Sequence, residues 1–242
     1  MIYQETFKAR WHDTDATLAV RPSQTLVYMQ EMAFCHLNSV NRNLDTLRFE
    51  QGLAFILTRL TLKFYKPIHP AETITAQTWV SEGKGLNFPR YFRLKKADET
   101  VAAEAASSWL LINLNTRLPL RVSEFDYGFS AEDPLPFATP RRLALPADMT
   151  EVGQRKILYS DIDYNGHMNN TRYPDMVCDY LPEDTVAHIH TMHLEFVREA
   201  KYGSTLRVMR GMRISEDGDT VYLVQTIDEQ DEVCLVAEVW VK

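Results

Sequence analysis

The stretch Asp163-Tyr164-Asn165-Gly166-His167-Met168-Asn169-Asn170 concentrates residue types that carry out polar chemistry. Imidazole takes and gives protons near neutral pH, so His167 is the candidate for proton transfer or carbonyl polarisation. Asn165 can position a water or a carbonyl, and Asp163 can orient its neighbours by hydrogen bonding. Gly166 permits a tight turn and a close approach of backbone to a substrate. The segment stands directly before a predicted helix, Thr171 to Leu181, where unsatisfied N–H groups and the positive dipole end favour a developing oxyanion. The backbone N–H groups of Gly166 and His167 are the candidates for that role. Asp, Asn and Gly also build ordinary turns, and Asn169 or Asn170 would serve as a helix cap. The segment by itself does not separate the two readings.

A comparison between the two halves of the chain does. Trp11-His12-Asp13-Thr14-Asp15-Ala16-Thr17-Leu18-Ala19-Val20 repeats the Asp-x-Asp of the later segment at an offset of 148, from Asp15 to Asp163. In the earlier copy Thr17 stands for Asn165 and Ala19 for His167. A second echo, Leu62-Lys63-Phe64-Tyr65-Lys66-Pro67, answers Leu194-Glu195-Phe196-Val197-Arg198-Glu199 at an offset of 132, and there Pro67 stands for Glu199. A turn kept for structure alone has little reason to lose Asn, His and Glu together on one side. A copy that has lost its chemistry explains the difference, and it adds Glu199 to the candidate set.

The elements that must position these groups follow from periodicity. Leu26, Met29, Met32, Ala33, Leu37 and Val40 lie at helical spacing, so a helix is expected from Ser23 to about Val40, with Pro22 at its start. Pro174 suits the first turn of the shorter helix and Pro182 its end. Strands are expected at Thr73 to Val80, Phe88 to Lys95 and Val101 to Leu114, then at Thr205 to Ile214, Thr220 to Ile227 and Val233 to Val241, separated by turn signals such as Gly83-Lys84-Gly85 and Glu216-Asp217-Gly218-Asp219. Ser130 to Thr150 carries Pro134, Pro136, Pro140 and Pro146 and reads as an extended linker. Each half is thus strand, helix and a run of antiparallel strands. Such a sheet can curl around its one long helix and bury the helix's apolar stripe. The expected class is α+β: two tandem hotdog units forming an intrachain pseudo-dimer, with an N-terminal unit at 1–130 lacking the catalytic set, a linker at 131–152 and a catalytic unit at 153–242. One irregular α+β domain with accidental echoes is the alternative.

Asp161-Ile162-Asp163-Tyr164-Asn165-Gly166-His167-Met168-Asn169-Asn170-Thr171-Arg172-Tyr173 closely resembles the signature of acyl-acyl carrier protein thioesterases, the plant plastid enzymes and their bacterial relatives. Leu194 to Glu199 resembles that family's second catalytic block, and Trp109 to Arg117 resembles the end of its first hotdog. The likeness runs in order along nearly the whole chain. It implies a double hotdog that hydrolyses the thioester of fatty acyl-acyl carrier protein in fatty acid biosynthesis, with the family's catalytic Asp, Asn, His and Glu on Asp163, Asn165, His167 and Glu199. One older family mechanism invoked a cysteine just after that Glu. Here the position is Ala200, so that cysteine route is closed. The resemblance also implies that the first half mainly holds the acyl chain. Met29, Met32, Phe34 and Leu37 of the first helix are candidates to line an acyl tunnel, with core packing the plainer role for any one of them. An acyl-coenzyme A thioesterase on the same fold, a hotdog dehydratase and a non-catalytic acyl-ligand binding protein are the competing functions.

Bulk properties narrow the partners. A net charge of −7 over 242 residues disfavours nucleic acid, which requires a basic face. An acidic carrier protein would need a local basic patch, for which Arg141, Arg142, Arg155, Lys156, Arg198, Lys201, Arg207, Arg210 and Arg213 are available. Cys35, Cys178 and Cys234 are too few and too scattered for a disulfide framework and read as small buried apolar residues. His188 and His190 would share one strand face and His193 the other, without a supporting carboxylate or cysteine pattern, so no metal or other cofactor is expected. With no signal-peptide pattern and no apolar run of about 20 residues, the expectation is a cytoplasmic protein away from membranes, with a homodimer open.

Overall fold

The computed structural model describes residues 1–43, 45–137, 141–145 and 148–242. The chain divides into two compact units, Met1–Pro140 and Arg141–Lys242. Unit 1 contains β1 (Tyr3–Lys8), α1 (Pro22–Asn38), β2 (Leu53–Phe64), β3 (Thr73–Val80), β4 (Phe88–Lys96), β5 (Val101–Asn113) and the short β6 (Pro119–Leu120). Unit 2 contains β7 (Thr150–Lys156), α2 (Tyr173–Asp179), β8 (Ile189–Phe196), β9 (Thr205–Ile214), β10 (Thr220–Ile227) and β11 (Val233–Val241). Within unit 1 the strands lie in the order β1-β3-β4-β5-β2, with β6 on β5, and every pairing is antiparallel. Within unit 2 the order is β7-β9-β10-β11-β8, again antiparallel. The α+β class is therefore observed, and each unit carries the same strand order.

Local chemistry explains the elements. Pro22 sits in the first turn of α1, where its missing N–H costs nothing. Leu26, Met29, Met32, Ala33 and Leu37 then bury one stripe of the helix against β3 and β1. Each large apolar side chain taken out of water contributes about 1.5–3 kcal/mol. The helix stops at Asn38, two residues before the expected end. α2 is shorter than expected: Tyr180 leaves helical geometry (φ −111°, ψ 9°), and its hydroxyl donates to Gln154 O at 2.7 Å. Its ring occupies the space where a side chain at residue 153 would sit. A Cβ there would lie 2.6 Å from Tyr180 Cε1, so Gly153 is fixed by close approach.

The expected linker is only partly free of the units. Pro140 and Pro146 lie outside the described residues. The preceding stretch has no regular structure but docks on unit 1: Glu132 N–H donates to Val80 O at 2.9 Å, Trp79 Nε1 donates to Asp133 O at 2.8 Å, and Leu135 packs with Trp79 and Tyr91. Among the described residues no helix is long and apolar enough to cross a membrane.

α1 also buries an imidazole. His36 is fully enclosed, with its ring stacked on Phe129 at 3.9 Å and on Tyr3 at 5.5 Å between centroids. Its Nδ1 lies 3.3 Å from Arg90 Nη1, which also donates to Thr78 Oγ1 at 3.1 Å. Burial, and next the Arg90 charge, push the His36 pKa down to about 3. The unfolded chain binds a proton below about pH 6.5 that the folded chain refuses, so stability falls as pH is lowered from there towards 3. Melting temperatures between pH 7 and pH 4.5 should fall less steeply for His36→Leu than for the parent. Equal slopes would remove His36 as the source.

Candidate active site

The motif loop has the same backbone in both units. In unit 1, Asp15 N–H donates to Ala19 O at 2.9 Å, Leu18 N–H to Asp15 O at 3.1 Å and Thr17 N–H to Asp15 Oδ1 at 2.8 Å. In unit 2, Asp163 N–H donates to His167 O at 3.1 Å, Gly166 N–H to Asp163 O at 3.0 Å and Asn165 N–H to Asp163 Oδ1 at 2.8 Å. Both loops are closed by one further pair, Thr14 with Val20 and Ile162 with Met168. The left-handed position is Leu18 (φ 62°) in one and Gly166 (φ 83°) in the other. A side chain there costs about 1–2 kcal/mol, and glycine avoids that cost. Asp163 is thus the residue that shapes the turn, by accepting a local N–H as Asp residues do.

A second segment is laid beside each loop by an equivalent bond. Val20 N–H donates to Ile68 O, and Met168 N–H to Ala200 O, both at 2.8 Å. His167 and Lys201 form a bridge on the same track. That register carries Glu199 to His167, Oε1 to Nε2 at 3.3 Å. The imidazole is 24% exposed and the carboxylate 59%, so the pair is reached by water and by a solute. In unit 1 the same places hold Ala19 and Pro67.

Of the expected residues, His167 and Glu199 are directly paired, and Asp163 and Asn165 belong to the loop that presents them. The expectation for Gly166 is corrected. Its N–H is engaged by Asp163 O as the closing bond of the turn, so its contribution is conformational. The His167 N–H remains. Its counterpart, Ala19 N–H, lies 3.3 Å from Asp15 Oδ1, whereas the His167 N–H makes no hydrogen bond among the described residues. The loop is also positioned by its own turn more than by the helix after it. Asn169 Oδ1 caps the helical turn Asn170–Arg172 by accepting the Thr171 N–H at 2.9 Å, which is the capping role weighed above. Asp161, the first Asp of the Asp-x-Asp, is buried and held by Arg155 Nη2 and Leu158 N–H at 2.7 and 2.9 Å.

Several neighbours escaped the sequence. Tyr173 packs edge-on against Phe196 at 5.6 Å, and burial, with nearby negative charge including Glu199, pushes its phenol up, so it stays protonated at neutral pH. Ser204, Asp228 and Gln230 join Arg198, Glu199 and Lys201, which the sequence had already named, around a depression of about 440 Å³. Their contribution comes from opposing turns, which no spacing rule connects.

Other expectations are changed by the geometry. Four of the nine candidate basic residues are already in ion pairs: Arg155 with Asp161 at 2.7 Å, Arg198 with Glu232 at 3.3 Å, Arg207 with Asp231 and Arg213 with Glu238 at 3.2 Å. Cys234 is buried as expected, but Cys35 and Cys178 are half-buried. Burial raises the Cys35 and Cys234 thiols to about 11, which leaves them protonated and poor nucleophiles. His188 ends a helical turn before β8 starts, so it does not share a strand face with His190. His190 Nε2 instead meets Asp219 at 3.1 Å.

Residues 1–126 match the family model of the acyl-ACP thioesterase N-terminal domain, and residues 146–242 match that of the C-terminal domain. The chain belongs to the acyl-ACP (acyl-acyl carrier protein) thioesterase family. It is 25% identical to the chloroplastic palmitoyl-acyl carrier protein thioesterase of Arabidopsis thaliana over 224 residues, 86% of this chain and 54% of that protein. It is 21% identical to the chloroplastic oleoyl-acyl carrier protein thioesterase of Coriandrum sativum, over 93% of this chain and 66% of that protein. The chain therefore spans about half to two-thirds of the length of these relatives. The crystal structure of an acyl-ACP thioesterase from Bacteroides thetaiotaomicron is similar with a TM-score of 0.90 at 25% identity, covering 100% of this chain and 98% of that one. The 12:0-ACP thioesterase of Umbellularia californica shares the fold with a TM-score of 0.82 at 18% identity, over 100% and 94% of the two chains.

The twin turns make a paired prediction about stability. Asp15 accepts from Thr17 N–H, Thr17 Oγ1 and Ala19 N–H, whereas Asp163 Oδ1 accepts from Asn165 N–H. A lost bond of this kind costs about 1 kcal/mol. Asp15→Ala should therefore lower the urea midpoint more than Asp163→Ala does. The reverse order would mean that these carboxylates do not hold the turns.

Proposed function

We propose that this chain hydrolyses fatty acyl thioesters of acyl carrier protein, releasing the fatty acid and the carrier thiol, and that it is built as two tandem hotdog units of which the second is catalytic. The observation that carries this reading is the His167–Glu199 pair at 3.3 Å on a loop whose twin in unit 1 has the same backbone and neither side chain. Membership of the family and the matched strand order of the units support it further.

The geometry supports the following division of labour. His167, whose Nε2 lies 3.3 Å from Glu199 Oε1, orients the carboxylate, while the exposed face of that carboxylate meets water. Glu199 takes a proton from that water as its oxygen attacks the thioester carbonyl. The oxyanion so formed is met by the His167 N–H, the donor left unengaged by the turn. When the C–S bond breaks, the departing thiolate takes the proton back from the His167–Glu199 pair. Asn165 positions the water or the carbonyl, and Asp163 holds the turn in shape. Direct attack by Glu199 would use the same placement with the carboxylate oxygen in the role of the water.

A general base of this type contributes about 10²–10⁴ in rate, so His167→Ala and Glu199→Ala should each reduce kcat/KM by at least about 10² without loss of the folded melting transition. The assay compares acyl-acyl carrier protein with acyl-coenzyme A over a matched series of saturated chains. The carrier-protein substrate should be preferred at every length. Preference for coenzyme A would make the protein an acyl-coenzyme A thioesterase, and full activity of both variants would remove the site.

A further inference from the structure

Glu199 borders the depression of about 440 Å³ on unit 2, and its other polar walls are Arg198, Lys201, Ser204, Asp228 and Gln230. The matching place in unit 1 carries longer side chains that pair with each other. At the offset of 132, Ser204 answers Glu72 and Asp228 answers Lys96. Lys96 Nζ and Glu72 Oε2 form an ion pair at 3.0 Å, and Glu72 also accepts the His69 N–H at 3.0 Å. In unit 2 those long side chains are absent. The Ser204 hydroxyl turns back to Lys201 O at 2.7 Å, and the Asp228 carboxylate accepts the N–H groups of Gln230 and Glu232 at 2.9 and 3.0 Å. The unit that carries His167 and Glu199 is the one in which shorter side chains line a depression.

The lining decides what the space can take. Two cations, two carboxylates, a hydroxyl and a side-chain amide surround it, so an acyl tail placed there would strip these groups of water without replacing their hydrogen bonds. A chain of amides would restore them. Its volume falls within the roughly 300–1,000 Å³ of small-molecule sites. Gln230 offers both donors and an acceptor, Ser204 Oγ retains acceptor capacity, and Lys201 is exposed and makes no ion pair among the described residues.

We propose that this depression receives the pantetheine-type arm of the thioester, with the amide nearest the sulfur lying against Ser204 and Gln230. The proposal rests on the thioesterase reading above and gives it a leaving-group subsite. That amide stands two carbons from the sulfur, which suits a subsite walled by Glu199 itself. Uptake of the amide there places the carbonyl beside the pair, and binding energy away from the reacting bond is used for orientation.

The test crosses protein variants with substrate truncation. One acyl group is presented as its pantetheine thioester and as its ethanethiol thioester, which lacks the amides. The unmodified protein should prefer the pantetheine thioester by at least about tenfold in kcat/KM. Ser204→Glu restores the long acidic side chain of unit 1, and Gln230→Ala removes an amide partner. In each variant the ratio should fall to within about threefold of unity, through KM more than kcat. Melting curves identify a variant that fails to fold, and the other variant then carries the test. A ratio that stays high, whether or not both rates drop, overturns the proposal, as does a ratio near unity in the unmodified protein. Absence of hydrolysis of both thioesters by the unmodified protein overturns the thioesterase reading itself. Carrier protein and coenzyme A share this arm, so Ser204→Glu should weaken both acyl donors to the same degree. Loss with one alone would assign the depression to the carrier surface or the nucleotide and not to the arm.

Discussion

The Met168 N–H to Ala200 O bond, 2.8 Å long, is the constraint on which the site depends. Residues 167 and 199 belong to segments about thirty positions apart, and neither side chain has a reason of its own to find the other. This bond fixes the register of the two segments, and the Asp163–His167 turn fixes the angle at which the loop arrives. Glu199 then falls beside His167 without further adjustment. The same bond joins Val20 to Ile68 in unit 1, so the backbone alone is indifferent to chemistry. What differs between the units is the side chains hung on a common frame.

That frame also accounts for exposure. An ionised carboxylate buried without a partner is costly, whereas one at a surface turn keeps its water. Glu199 remains more than half exposed, and this suits a group proposed to act on water. The thiols of Cys35 and Cys234 are held protonated by burial, and Ala200 follows Glu199 where a thiol would be needed. Neither of these two thiols, nor residue 200, offers a sulfur nucleophile beside the pair.

Much of this was legible in the residues. The spacing of Leu26, Met29, Ala33 and Leu37 gave α1, and alternation between turn signals gave β3, β9, β10 and β11 at their observed limits. The contrast of Asn165, His167 and Glu199 with Thr17, Ala19 and Pro67 singled out the pair. Hydrogen-bond detail was not legible. Whether the Gly166 or the His167 N–H is left over depends on how the turn closes, and both N–H groups look alike in sequence. The end of α2 depends on Tyr180 reaching Gln154 and packing on Gly153, a contact between separate segments. The depression arises because Ser204 and Asp228 oppose each other across turns, a relation that becomes visible only when their unit 1 counterparts, Glu72 and Lys96, are seen to be paired.

The central claim is that His167 and Glu199 act as one unit. A double-mutant cycle on kcat/KM for an acyl-acyl carrier protein substrate tests it most directly, because groups that act together lose their effect together. The account predicts that His167→Ala with Glu199→Ala is no slower than the worse single variant, within about threefold. Losses that multiply would contradict it, showing two groups that work independently.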